Sequence, residues 1–194
     1  ARTRSVVRVL AVLVPALLLA VLVETFVVSP VSVSGGSMGP ELRDGERVLV
    51  SHLSYVLREP RRGDVVAFRS PLEDPDRSAF PVRIARGTLE ALGLRDAPSG
   101  TVLERVVAVG GETVEARDGR LVVNDRALDE PYLRAPRVTD DFDAERVPDG
   151  HVWVMGDDRG ATPFDSRSFG TVDIDALRGR AVLRTWPPLR LGTP

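Results

Sequence analysis

The chain has 194 residues, 43% hydrophobic and 28% charged, with 26 basic and 28 acidic side chains and a net charge of −2. That length holds one domain with a real core and an appendage, and the charge balance excludes a basic field for nucleic acid. Cysteine and lysine are absent and the two histidines, His52 and His151, lie far apart; disulfides, thiol nucleophiles and a zinc site are excluded, and no cofactor or metal is expected.

In chain order, Arg2, Arg4 and Arg8 precede an uncharged apolar run over residues 9–23, and Glu24 interrupts before FVVSPVSV. Counted over 6–28, the segment reaches the roughly 20 residues that a membrane-spanning helix needs. Pro15 lies inside it, which membrane helices tolerate. Two competing readings are weaker. A cleaved signal peptide should be followed by an A-x-A site, and none follows. A buried core helix has no reason to be apolar on every face. Residues 1–30 are therefore read as one uncleaved transmembrane helix. The flanking arginines place its N-terminus in the cytoplasm, so residues 31–194 are expected outside, tethered to the cytoplasmic membrane by a single pass. Because the sequence begins at Ala1, further residues are expected upstream.

Beyond residue 30 the pattern changes to short Val-rich runs broken by Gly, Pro and Asp. ERVLVSHL (46–53), DVVAFR (64–69), LERVVAVG (103–110), TVEARDGRLVVN (113–124), HVWVMG (151–156) and RAVLRTW (180–186) read as strands. RRGD before the second of these is a turn, and RDGR (117–120) is a hairpin signal. The 71–101 stretch is loop-like with a short helical pattern, VRIARGTLEALGL, and reads as an insertion between two strands. The fold class is mainly β: a tethered, mostly antiparallel β domain. His52 and His151 fall at strand positions, where a structural role is expected.

One stretch stands out, SGGSMGPEL at 34–42. Three glycines and a proline can continue neither a helix nor a central strand. Ser37 is therefore held on an irregular loop near backbone donors. By itself such a serine is a turn residue. Asp157, Asp158 and Arg159 are likewise turn chemistry when taken alone, and Asp165 and Arg167, expected on one side of a strand, could simply pair with each other.

Taken together and in order, SGGSMGPEL after an apolar anchor, RRGDVVAF, ERVVAVGGETVE, VVNDRALDEPYL and VPDGHVWVMGDDRGATPFDSRSFG resemble the type I signal peptidases, membrane-bound serine peptidases that remove signal peptides. The resemblance covers most of residues 30–187 and implies that family's antiparallel β-rich peptidase fold. It places Ser37 on the nucleophile. Asp157 and Arg159 fall in a GD-x-R box, and Asp165, Ser166 and Arg167 match the DSR end that braces the catalytic residues. Thr162 is aligned with a hydroxyl that orients the base, although GATPF makes the spacing between the two halves one residue longer. The implied partners are the signal peptides of preproteins and the lipid bilayer, with the export translocon as a candidate.

Two positions depart from the family pattern. The family's base is a lysine immediately before the Arg-Val of the RV strand, and here Glu104 stands there, before Arg105 and Val106. A serine hydroxyl needs a nearby base, and a free carboxylate, with a pKa of about 4.3, is a weak one near neutrality. Burial raises carboxylates into a useful range. On a strand Glu104 shares a face with Val106 and Ala108, an apolar wall, while Arg105 points away. The second departure is Gly35, where many bacterial relatives place a serine as oxyanion donor; the backbone N–H groups of Gly35, Gly36 and Ser37 are the candidates left. Two readings stand. One is a signal peptidase with Glu104 as its base; the other is a non-catalytic member of the fold that binds signal peptides or assists an active paralogue.

Overall fold

The computed structural model describes residues 11–16, 27–69, 101–133, 138–160 and 164–194. The expected 71–101 insertion lies outside these residues, except for its last position, Thr101, which opens a strand. Most of the expected anchor lies outside them as well. Residues 11–16 are helical, and Val12, Leu13 and Val14 are exposed. Among the described residues no helix is long and apolar enough to cross a membrane.

Among the described residues, eleven strands form two antiparallel sheets. The first has seven strands in the order β1 (Val28–Ser32), β2 (Arg47–Ser51), β11 (Leu177–Trp186), β3 (Val65–Arg69), β4 (Thr101–Val109), β9 (His151–Met155) and β10 (Val172–Asp173). The second has four, in the order β7 (Arg126–Ala127), β6 (Arg120–Val123), β5 (Thr113–Arg117) and β8 (Phe142–Arg146). Each expected strand run contains a strand or a hairpin. The RDGR signal is the β5–β6 turn, where Asp118 and Gly119 both take positive φ (53° and 73°), the backbone that two-residue hairpins of this kind require. β1, β7, β8 and β10 come in addition, together with two single-turn helices, α1 (Ser54–Leu57) and α2 (Ser166–Phe169).

The continuous apolar run VVAF of β3 is explained by burial on both faces. Val65 and Ala67 enter one core with Met38, Leu42 and Val48, while Val66 and Phe68 enter another with Val106 and Val154. A strand alternates its side chains, so a strand covered on both sides has no polar face to show. The chain passes to the second sheet at the β4–β5 turn and returns at the β8–β9 turn. These crossings are tied to each other by Gly111 N–H donating to the Val147 carbonyl (2.9 Å) and Val147 N–H to the Glu112 carbonyl (2.8 Å). Between the sheets lies a third core of Val107, Val114, Leu121, Trp153 and Met155, with Phe142 stacked on Trp153 at 5.6 Å.

Both histidines are structural here. His52 Nδ1 donates to the Arg178 carbonyl at 2.7 Å and its Nε2 lies 3.0 Å from the Ser29 hydroxyl, which stitches the start of β1 to β11. His151 Nδ1 lies 3.2 Å from the Asp149 carbonyl.

Candidate functional site

The SGGSMGPEL loop follows β1 and is pinned from three directions. Met38 and Leu42, 1% and 0% exposed, sink into the core beneath it. Gly39 N–H closes a tight turn on the Gly36 carbonyl (2.9 Å), and Leu42 N–H donates to the Met38 carbonyl (2.8 Å). Upstream, Gly35 takes φ +84° and its N–H donates to Asp44 Oδ1 at 2.9 Å. Ser37 is thus half-buried between two anchored side chains and an exposed Gly35–Gly36 step. Its own carbonyl accepts the N–H of Asp158 at 2.7 Å, which ties the loop to the turn after β9.

Glu104 lies on β4 opposite Val66, and it is 1% exposed. The Ser37 hydroxyl lies near enough to its carboxyl to favour the charged form. Burial pushes the carboxyl up to about 8; the Ser37 hydroxyl opposes this, and the charges of Asp165 and Asp157 add to it. Oε2 is buried without a hydrogen-bond partner, which costs about 1–3 kcal/mol. The apolar wall expected beside Glu104 is only partly as read. A bulge between Val106 and Ala108 breaks the alternation, so Val106 joins Val66 while Ala108 turns to the core between the sheets.

Arg105 faces away from Glu104, as expected, and its guanidinium grips Asp157 through two bonds of 2.8 and 2.7 Å. Both partners are almost fully buried. Arg159, equally buried, donates from Nε to the Gly156 carbonyl at 2.6 Å and pairs with Glu130. Asp165 and Arg167 do pair, at 2.8 Å, though not on a strand. Asp165 is the N-cap of α2, accepting the Arg167 N–H at 3.0 Å, and its other oxygen accepts the Gly156 N–H at 3.3 Å. An Asp followed by Ser and Arg is a helix start, a signal that the strand reading missed. Arg167 also reaches the Arg159 carbonyl at 3.1 Å and Thr139 at 3.2 Å, and the Ser166 hydroxyl accepts the Val154 N–H at 2.9 Å. Thr162 lies outside the described residues.

The structure therefore brings Ser37, Glu104, Asp157, Arg159, Asp165, Ser166 and Arg167 into one region. Gly35 and Gly36 stand beside Ser37, although the Gly35 N–H is taken by Asp44. Sequence reasoning missed Gly156. A Cβ there would lie 2.6 Å from the Ser37 carbonyl oxygen and 3.2 Å from Glu104 Oε2, so only glycine lets β9 pass this close. The glycine in MGDDR was the available signal.

The profile of the family described as signal peptidase, peptidase S26, matches residues 6–186. This chain belongs to that family. Signal peptidase I of Mycobacterium tuberculosis is 35% identical over 97% of the chain and 76% of its own length. Probable signal peptidase I-2 of Synechocystis is 32% identical over 93% of the chain and 73% of its own length. Thylakoidal processing peptidase 1 of Arabidopsis thaliana is 32% identical over 91% of the chain, which spans 47% of that protein. Among solved structures, a signal peptidase I from Enterococcus faecalis is 28% identical, with a TM-score of 0.44, covering 63% of this chain and 97% of that one.

Proposed function

We propose that this member of the signal peptidase family removes signal peptides from exported preproteins as a serine endopeptidase, with Ser37 as nucleophile and Glu104 as its general base. The observation that carries the reading is a carboxyl 1% exposed set beside half-buried Ser37, with Gly156 packed against both the Ser37 carbonyl and Glu104 Oε2. A base works best when its pKa lies near the working pH. A carboxyl pushed up to about 8 is a stronger base than an exposed one, and its ionised form is present in a useful fraction just above neutrality.

The ionised Glu104 carboxylate takes the Ser37 proton as Oγ attacks the carbonyl carbon of the scissile bond. The new C–O bond leaves a tetrahedral oxyanion. With Gly35 N–H committed to Asp44, the loop donors assigned to that oxyanion are the N–H groups of Gly36 and Ser37, and losing one such donor typically costs on the order of 10²–10³ in rate. Collapse breaks the C–N bond, and Glu104 returns the proton to the departing amine. Water then attacks the Ser37 ester, gives its proton to Glu104, and the second collapse restores the hydroxyl. Asp157 and Asp165, each paired with its arginine, hold the 156–159 turn, and their remaining negative charge helps to keep the Glu104 carboxyl up.

The substrate is proposed to bind as an added strand. β3 pairs with β4 over Thr101 to Arg105, whereas β9 pairs with it only from Arg105 onward. Among the described residues, the N-terminal half of β4 therefore has an unpaired edge running up to Glu104. Shallow pockets would admit small, alanine-like side chains. Residues 1–30 are proposed to anchor the 31–194 domain at the outer face of the cytoplasmic membrane, where tethering of both partners raises their effective concentration.

The test is cleavage of a purified preprotein. Wild type is expected to cleave, and Ser37→Ala and Glu104→Gln are each expected to fall by at least about 10³-fold. Silence in the wild type, with cleavage gained in Glu104→Lys, would show that the carboxyl does not serve as base.

A further inference from the structure

Downstream of β7 the chain runs across the arginines that frame the catalytic turn, and there it makes contacts that its position in the second sheet does not require. Glu130 pairs with Arg159, whose side chain is 1% exposed. The Tyr132 hydroxyl donates to Glu130 Oε1 at 2.7 Å. The guanidinium of Arg105 lies over the Tyr132 ring, 4.3 Å from its centroid. Glu130 and Tyr132 thus form one unit that touches both arginines. Arg105 holds Asp157, and Arg159 holds the Gly156 carbonyl. The turn so held supplies Asp158 N–H to the Ser37 carbonyl and Gly156 to the wall against Glu104.

We infer that Glu130 and Tyr132 are positioning residues for cleavage, clamping the 156–159 turn through Arg159 and Arg105 so that Ser37 and Glu104 keep their relative placement. This rests on the proposed function, since it assigns a part in that same reaction. A cation over an aromatic face gains more as the pair is desolvated, and here Arg105 is buried with the half-buried Tyr132 ring over it; a bidentate arginine pair fixes direction as well as distance. Removing the ring frees Arg105 to swing while Asp157 follows it. Removing the Glu130 charge leaves a buried guanidinium without its counterion. Either change loosens the turn and not the open β4 edge, so turnover falls while substrate binding is spared.

The experiment uses full-length protein carrying Tyr132→Leu, Tyr132→Phe or Glu130→Gln, with folding checked by circular dichroism. Tyr132→Leu and Glu130→Gln are expected to lower kcat by roughly ten- to a hundredfold, the range in which small misplacements act, with KM within about twofold of wild type. Tyr132→Phe keeps the ring and is expected to restore most of the rate lost in Tyr132→Leu. Amide exchange of the Asp158 N–H is expected to quicken in Tyr132→Leu, a readout that needs no activity. Unchanged kcat in Tyr132→Leu, or a loss confined to KM, overturns the inference. Where Tyr132→Leu does not fold, unchanged kcat in Glu130→Gln does the same. Absence of Ser37-dependent cleavage in the wild type would defeat the functional reading instead, and the exchange rate at Asp158 would still decide whether the clamp holds the turn.

Discussion

Glu104 is held in a place where its charge is disfavoured, and that has consequences for stability as well as rate. The carboxyl is pushed from an ordinary 4.5 to about 8 in the folded chain. Between those values the unfolded chain has lost the proton that the folded chain still holds. Stability from this group is therefore fully present below pH 4.5, declines as the pH rises through the window, and is gone above about 8. Glutamine mimics the protonated form, so Glu104→Gln should flatten that segment of the stability curve, an outcome that urea denaturation at a series of pH values would reveal. If wild type and Glu104→Gln ran parallel from about pH 5 to about pH 9, the carboxyl would not be buried as described. Gly156 makes the other single-residue case. A methyl there meets a backbone carbonyl and not a flexible side-chain tip, so Gly156→Ala must displace Ser37 or Glu104, and kcat should drop by roughly 10²-fold in a chain that still folds.

At the scale of elements, the Ser37 loop is braced by a segment that sequence patterning gave no reason to connect with it. β11 ends at Trp186, and the 3-10 turn Pro188–Arg190 follows. Arg184, 7% exposed, donates to the Glu41 carbonyl at 2.7 Å and to the Arg190 carbonyl at 2.5 Å; Arg190 reaches the Glu41 and Pro40 carbonyls at 3.0 and 3.2 Å and pairs with Glu46. Arg184→Ala removes the donor to the part-buried Arg190 carbonyl and one of two donors to the Glu41 carbonyl, and should cost about 1–2 kcal/mol, measurable as a lowered denaturation midpoint. No change in that midpoint would mean the strap is decorative. Contacts 143 residues apart leave no periodic trace, whereas β3 and the β5–β6 hairpin could be read directly, because a doubly covered strand and a two-residue turn each impose a local pattern. α2 was misread because a single helical turn is too short to show a period; only its Asp165 cap announced it. The break in alternation after Val106 was equally hidden, since a bulge adds one residue without changing composition.

For the molecule as a whole, the mainly antiparallel β architecture follows from Val-rich runs and turn residues spaced along the chain, whereas its division into two sheets at the β4–β5 crossing left no mark in that pattern. The site was legible for a different reason. Ser37, Asp157, Arg159, Asp165 and Arg167 sit in short strings whose order resembles one family, and the fold gathers those strings into one region. Gly156, Glu130 and Tyr132 matter through what they touch, and touching becomes visible only once two sheets are in place. The central claim is that a carboxylate does the work of a base for Ser37, and the dependence of kcat/KM on pH tests it most directly. The account predicts a rate that climbs with pH, with a midpoint near 8 set by the free enzyme's base, and a carboxyl resonance of Glu104 titrating over the same range. A rate that is flat or falling across that window, in a protein whose Ser37→Ala variant is dead, would contradict it.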